Sequence, residues 1–200
     1  MDTTTVTLFL ALLAIVAQVV VASALVLFAV GRFSPPVRRL GRQLATELGP
    51  QALGLAAVVA AVCTAGSLYL SEVAHFPPCR LCWYQRAAMY PQVLLLGVSA
   101  LTRFWRIRPF AAALALVGAG VSSFHMLVER YPNLETSSCD PLNPCSIIWV
   151  EKFGYLTIPT MALSGFALIG VLLAVARPAS DRSRGDRPSI AHPALAQEAP

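Results

Sequence analysis

Long apolar runs separated by short arginine-bearing breaks make up most of this chain. Five of them, roughly residues 7–30, 52–73, 83–101, 110–128 and 157–176, have the length of a membrane span. About 20 residues at a rise of about 1.5 Å each cross a hydrocarbon core of about 30 Å, so each is expected to be a helix. Neither an internal repeat nor a phosphate-binding glycine pattern interrupts them.

The first run, Val6 to Val30, follows the segment "MDTTT", which has no positive charge, and is longer than the apolar stretch of a signal peptide. Positive charges come after it instead of before it. It reads as a retained helix. Composition agrees with a membrane bundle: 56% of the 200 residues are hydrophobic and 12% are charged, against about 25% charged in soluble domains. The mean hydropathy is +0.66. The expected fold class is therefore an all-α integral membrane helical bundle.

Charge placement then orients the chain. Arg32, Arg38, Arg39 and Arg42 follow the first run, Arg103, Arg106 and Arg108 follow the third, and Arg177, Arg182, Arg184 and Arg187 follow the fifth. With alternating spans these all fall on one side, which the positive-inside rule makes cytoplasmic. The N-terminus is then outside and the C-terminus inside. The net charge of +5 is spent on topology, not on a basic face with interleaved aromatics, so nucleic acid is excluded as a partner. From Pro178 onward the chain is rich in Pro, Ser and charge with no apolar period, and a disordered tail is expected.

This topology sorts the cysteines. Cys63 falls mid-span and reads as a small apolar residue. Cys79, Cys82, Cys139 and Cys145 fall in the two outer loops, in a compartment that permits disulfides. Cys79 and Cys82 form a Cys-x-x-Cys pair behind Pro77 and Pro78, which end the preceding span. Cys82 is expected near the first turn of the third span, where free N–H groups and the helix dipole favour a thiolate, and Arg86 lies one turn on. The other pair, "CDPLNPC", encloses a turn that a disulfide can close. Two structural disulfides, or a four-thiolate zinc site with one wide spacing, are the competing readings. Gln18 reads as a helix contact, Glu72 as a snorkelling interfacial residue, and Trp83, Tyr84 and Trp149 as an interfacial belt.

The segment "GSLYLSEVAHFPPCRLCWYQRAAMYP" closely resembles the first outer loop of the DsbB family of disulfide-bond formation proteins, nearest to the branch called BdbC. "FHMLVERYP" and "CSIIWVEKFGYLTIPTMALSGF" are similar to later segments of the same family. The likeness runs over roughly residues 52 to 176. It implies a four-helix thiol-oxidase core at 51–176, preceded by an extra transmembrane helix and basic linker at 1–50 and followed by the tail at 177–200.

The resemblance further implies a multi-pass enzyme of a prokaryotic plasma membrane that serves protein folding outside the cytoplasm. A DsbA-like thioredoxin-fold partner on the non-cytoplasmic side would donate electrons, and a membrane quinone, ubiquinone or menaquinone, would accept them. Cys139 would take the partner's attack with Cys145 as its mate. The Cys79–Cys82 pair would reoxidise them, and Cys82 with Arg86 would face the quinone. His125 has two readings, a residue of the quinone site or proton relay, and an interfacial histidine bonded within the bundle. No metal is implied. A reductase related to vitamin K epoxide reductases is the alternative enzyme, and a non-catalytic membrane protein with structural disulfides is the alternative from another class.

Overall fold

A computed structural model of the chain describes residues 2–135, 139–140 and 142–177. The tail expected to be disordered lies, from residue 178 on, outside the described residues. Six α-helices run along the described chain: α1 (Thr3–Gly31), α2 (Pro35–Leu48), α3 (Ala52–Leu68), α4 (Arg80–Thr102), α5 (Arg108–Arg130) and α6 (Ile158–Val175). A short antiparallel hairpin, β1 (Glu151–Lys152) and β2 (Leu156–Thr157), precedes α6. Phe153 and Gly154 turn it with positive φ.

The core is a ring in which α3 packs on α4, α4 on α5, α5 on α6 and α6 on α3. Small residues let these helices approach: Ala56, Ala60, Ala111 and Ala115 are buried against Leu96, Phe166, Ile169 and Leu173. Lipid supplies no hydrophobic drive between helices, so close packing has to hold them. Gly118 shows how close it is, since a Cβ there would lie 2.2 Å from the Phe166 ring. At the basic end, Arg108 donates to the Leu173 carbonyl at 2.7 Å and the Arg177 N–H to the Gly49 carbonyl at 3.1 Å. These bonds pin the starts of α3 and α5 to the end of α6.

α1 stands outside the ring against α6. Ala11 and Ala14 pack on Leu156 and Met161, and Gln18 donates to Ser164 Oγ at 3.0 Å while accepting from the Tyr155 hydroxyl at 2.9 Å. Gln18 is thus the helix contact it was read to be. The expected architecture, a four-helix core plus one N-terminal helix, is the one observed. By length and composition α1, α3 with its π-helical extension to Val73, α5 with the 3₁₀ turn before it, and α6 are fit to cross a membrane. α4 has the length but carries Arg80, Gln85, Arg86 and Gln92. Gln85, Arg86 and Gln92 are buried in the bundle, so protein and not lipid receives them.

One segment differs from its reading. Residues 35–48, read as a basic linker, form an amphipathic helix. Pro35 opens it at a position that needs no N–H, and Val37, Leu40, Leu44 and Leu48 recur at helical spacing between the arginines.

Candidate active site

The site begins where α3 ends. A π-helical turn, Tyr69–Val73, carries α3 outward, His75 takes a positive φ of 58°, and Pro77 and Pro78 keep the chain extended up to Cys79. Cys79 caps α4: its sulfur accepts the Cys82 N–H at 3.3 Å. The Cys-x-x-Cys spacing thereby supplies the first turn of α4 with a partner that Ser or Asp would supply elsewhere. Both thiols are free, with their sulfurs 2.9 Å apart.

His125, buried on α5, ties this pair to the second loop. Its Nε2 lies 3.7 Å from Cys79 Sγ and 3.0 Å from the Cys145 carbonyl oxygen. The side-chain nitrogen of Gln85 lies 3.1 Å from Nδ1. With that amide donating to Nδ1, the ring proton sits on Nε2 and points at the carbonyl and the sulfur together.

The Cys79 thiol, in the outer loop just ahead of α4, is pulled down to about 4. The hydrogen bond from the Cys82 side chain is the largest cause; burial opposes it, and the hydrogen bond and charge of His125 with the Cys82 N–H add to it. The sequence pointed to Cys82 as the sulfur favoured as a thiolate. In this reduced pair the accepting sulfur is Cys79, because the Cys82 side chain donates to it and the Cys82 N–H at the helix start adds to that.

Arg86 occupies the expected place one turn beyond Cys82, and α3 holds it. Its Nε donates to Ser67 Oγ and its Nη2 to the Ser67 carbonyl, both at 3.0 Å. The Tyr90 hydroxyl reaches the same Oγ at 3.3 Å. The guanidinium carbon sits 5.2 Å from the centre of the Trp83 ring, within cation–π range.

Cys82 and Arg86 line the inner end of an apolar cleft of about 350 Å³. Ser67, Gln85, Met89 and Tyr90 complete that end, and Phe76 and Trp149, stacked with ring centres 5.6 Å apart, line its outer rim. Cys63 lines the cleft as a half-buried free thiol. His125 does not line it, since its ring is turned to Cys79 and the second loop.

In the second loop Cys139 and Cys145 form a disulfide, with Cα atoms 6.1 Å apart. The expected turn is present: the Leu142 N–H bonds to Asp140 Oδ1 at 2.9 Å and the Asn143 N–H to the Asp140 carbonyl at 3.0 Å. Glu135 anchors the loop by accepting the Cys145 N–H and, at 2.8 Å, the Ser146 hydroxyl. Cys145 is 1% exposed and packs with Cys79, Leu81 and Val128, while Cys139 lies at the edge of the cluster. Since Cys139 and Cys145 are bonded to each other, the four outer sulfurs do not assemble as one set of thiolates. Ser67, Gln85 and Glu135 were not singled out in the sequence. Gln85 and Ser67 both fall inside the quoted segment, Gln85 beside Arg86 and Ser67 at its start, whereas Glu135 is set by packing in the second loop.

The sequence profile of "Disulfide bond formation protein DsbB" matches residues 50–176, more than half of the chain. Disulfide bond formation protein C of Bacillus subtilis (strain 168) is 40% identical over 117 residues, which cover 58% of this chain and 85% of that protein. A probable disulfide formation protein C 1 of Bacillus anthracis is 39% identical over 112 residues, 55% of this chain and 80% of the relative. A probable disulfide formation protein of Oceanobacillus iheyensis is 39% identical over 117 residues, 58% and 81% respectively. No solved structure matches the chain. With its multi-pass helical bundle and two neighbouring cysteine pairs, the chain belongs to the DsbB family of disulfide bond formation proteins, and is a disulfide-forming thiol oxidoreductase.

Proposed function

We propose that the protein takes two electrons at a time from a DsbA-like thioredoxin-fold dithiol protein outside the cytoplasm and delivers them to a membrane quinone. The observation that carries this reading is the position of His125, between the sulfur of Cys79 and the carbonyl of Cys145. It joins the two cysteine pairs into one buried unit whose far side, Cys82, opens on the cleft.

The division of labour follows burial. Cys139, the less buried sulfur of its disulfide, accepts the partner's thiolate, and Cys145 leaves as a thiolate. The partner's second thiol then attacks the mixed disulfide, so the partner departs oxidised and Cys139–Cys145 is left as a dithiol. That dithiol reduces the Cys79–Cys82 disulfide by the same exchange. Once both exchanges are complete, Cys79 rests as a thiolate to which the freed Cys82 thiol and His125 hydrogen-bond. Glu135 keeps Cys145 in register throughout, because it accepts the Cys145 N–H and the hydroxyl of the next residue, Ser146.

The cleft fits a quinone by its chemistry: its walls are apolar and, among the described residues, Arg86 is its one cation and no acid lines it. A quinone bound there supplies a two-electron sink, so that two electrons and two protons leave the Cys79–Cys82 dithiol and a disulfide and a quinol result. Arg86, fixed by Ser67, holds positive charge where the acceptor gains negative charge. The proposed setting is a prokaryotic plasma membrane, with the cysteine end outside and the basic end in the cytoplasm.

The test is turnover by the purified full chain in detergent, given a reduced DsbA-type protein and a quinone, beside Cys82→Ala. One quinol per partner disulfide in wild type and none in the variant is expected. Partner oxidation that continues at the same rate in Cys82→Ala would remove the cleft-side cysteine from the path.

A further inference from the structure

α1 lies outside the region matched by the family, which begins at residue 50, yet it forms one wall of the cleft. It touches α6 closely through Ala11 and Ala14, and Gln18 locks its register to Ser164 and Tyr155. Toward α3 it leans at one place: a Cβ on Gly66 would lie 2.9 Å from Leu10 Cδ2, so only glycine lets the leucine seat there. Gly66 is the neighbour of Ser67, which anchors Arg86.

Beyond that contact the two helices stand apart and the cleft opens between them. Leu13, Val16 and Ala17 of α1 face Val58, Val59 and Val62 of α3 across it. At the mouth Val16 and Val58 are each 60% exposed, on helices fit to cross a membrane. The cleft thus runs without a charged residue from the lipid side of the α1–α3 gap to Cys82 and Arg86 at its inner end.

We infer that α1 is a functional part of the acceptor site, and that the α1–α3 gap holds the isoprenoid tail of the quinone whose headgroup lies at Cys82 and Arg86. This rests on the quinone reading given above and adds the helix that the family core lacks. A phospholipid acyl chain would suit the apolar walls equally. The tail is favoured because the groove is continuous with the redox end.

The experiment uses the full chain at fixed detergent concentration. Benzoquinone and naphthoquinone headgroups, each with and without a ten-carbon tail, are titrated against the tryptophan fluorescence of the protein, since Trp149 lines the cleft and Trp83 stacks on Arg86. In wild type the tail tightens binding. In the double variant Leu10→Ala, Leu13→Ala the tailed compound weakens about tenfold, as expected for several lost methylene contacts, while the tailless one stays within about twofold. Leu25→Ala, on an exposed part of α1 away from the cleft, changes neither.

Because the double variant could loosen α1, a tail-azide quinone is also photolysed on wild type, and its label is expected on residues 3–31. Three results overturn the inference. A tailless headgroup that binds wild type with no gain from a tail removes α1 and leaves the acceptor reading intact. A label on α1 that excess phospholipid displaces and excess quinone does not marks a lipid site. Failure of every quinone to bind removes both readings together.

Discussion

Nε2 of His125 lies 3.7 Å from Cys79 Sγ and 3.0 Å from the carbonyl of Cys145, so one buried ring proton faces both cysteine pairs. The Asn143 side chain reaches the Pro77 carbonyl at 3.5 Å, and the Phe76–Trp149 stack sits farther out at the rim. His125→Ala is expected to slow electron transfer between the pairs by about 10²-fold, the low end for a lost acid–base group. Stopped-flow reduction of the Cys79–Cys82 disulfide by the reduced second loop measures it.

The Cys79 thiol gives a pH dependence with a definite sign. Its value of about 4 is far below the ordinary cysteine value of about 8.5. The thiolate of the reduced pair should therefore be present at all pH values above about 5 and be lost as pH falls through about 4. The stability it lends the reduced fold is full above the unfolded value of about 8.5 and is lost progressively as pH falls from there through about 4. Ultraviolet thiolate absorbance in a Cys63→Ala, Cys139→Ala, Cys145→Ala background reads it. Adding Cys82→Ala removes the largest cause and raises the midpoint most; adding His125→Ala raises it less.

Arg86 is held by a forked pair of bonds to one residue of α3, which lysine cannot reproduce. Arg86→Met and Arg86→Lys are both expected to weaken the use of quinone at least tenfold, about 1.4 kcal/mol. Partner binding should stay within twofold. Ser67→Ala should give a smaller loss in the same direction, because the carbonyl bond survives it. Apparent quinone KM and partner Kd, measured on the same preparations, separate these effects.

Cys139→Ser should abolish oxidation of the protein partner and leave quinone reduction by a small dithiol partly intact. The small reagent reaches the first pair directly, whereas the partner needs the second loop. Equal turnover of both substrates in the variant contradicts the assigned roles.

Packing in the ring is tested at Gly118. Gly118→Val drives two methyl groups into the Phe166 ring and should cost about 1–3 kcal/mol, the usual range for overpacking. Thermal unfolding in detergent reads the loss, and Phe166→Leu added to the variant should restore part of it.

Much of this was legible in the sequence because membrane spans, positive-inside charge and cysteine spacing are local signals. The five long helices follow the apolar runs, and Arg86 lies one helical turn past Cys82 because both sit on α4. What the sequence withheld depends on tertiary contact. The Cys82 side chain and His125 of α5 both turn to Cys79, which moves the favoured thiolate to the capping residue. His125 was legible as an ionisable group in a span, yet its direction, away from the cleft and toward Cys145, depends on Gln85 and on how the second loop folds over α5. Ser67 looks like one small residue in an apolar run and becomes the anchor of Arg86 only when α3 packs on α4. Helix α2 was legible in principle, since its leucines recur at helical spacing, but the arginines between them drew the reading toward a linker.

The most direct measurement of the central claim is the order in which the cysteine pairs become reduced. Fully oxidised protein without quinone is mixed with an equal amount of reduced DsbA-type partner, quenched in acid at successive times and alkylated for peptide mass spectrometry. The account predicts label first on Cys139 and Cys145, then on Cys79 and Cys82 as the Cys139–Cys145 disulfide re-forms, with the second phase slowed in His125→Ala. Label on Cys79 and Cys82 from the earliest time, with Cys139 and Cys145 still bonded to each other, would contradict it.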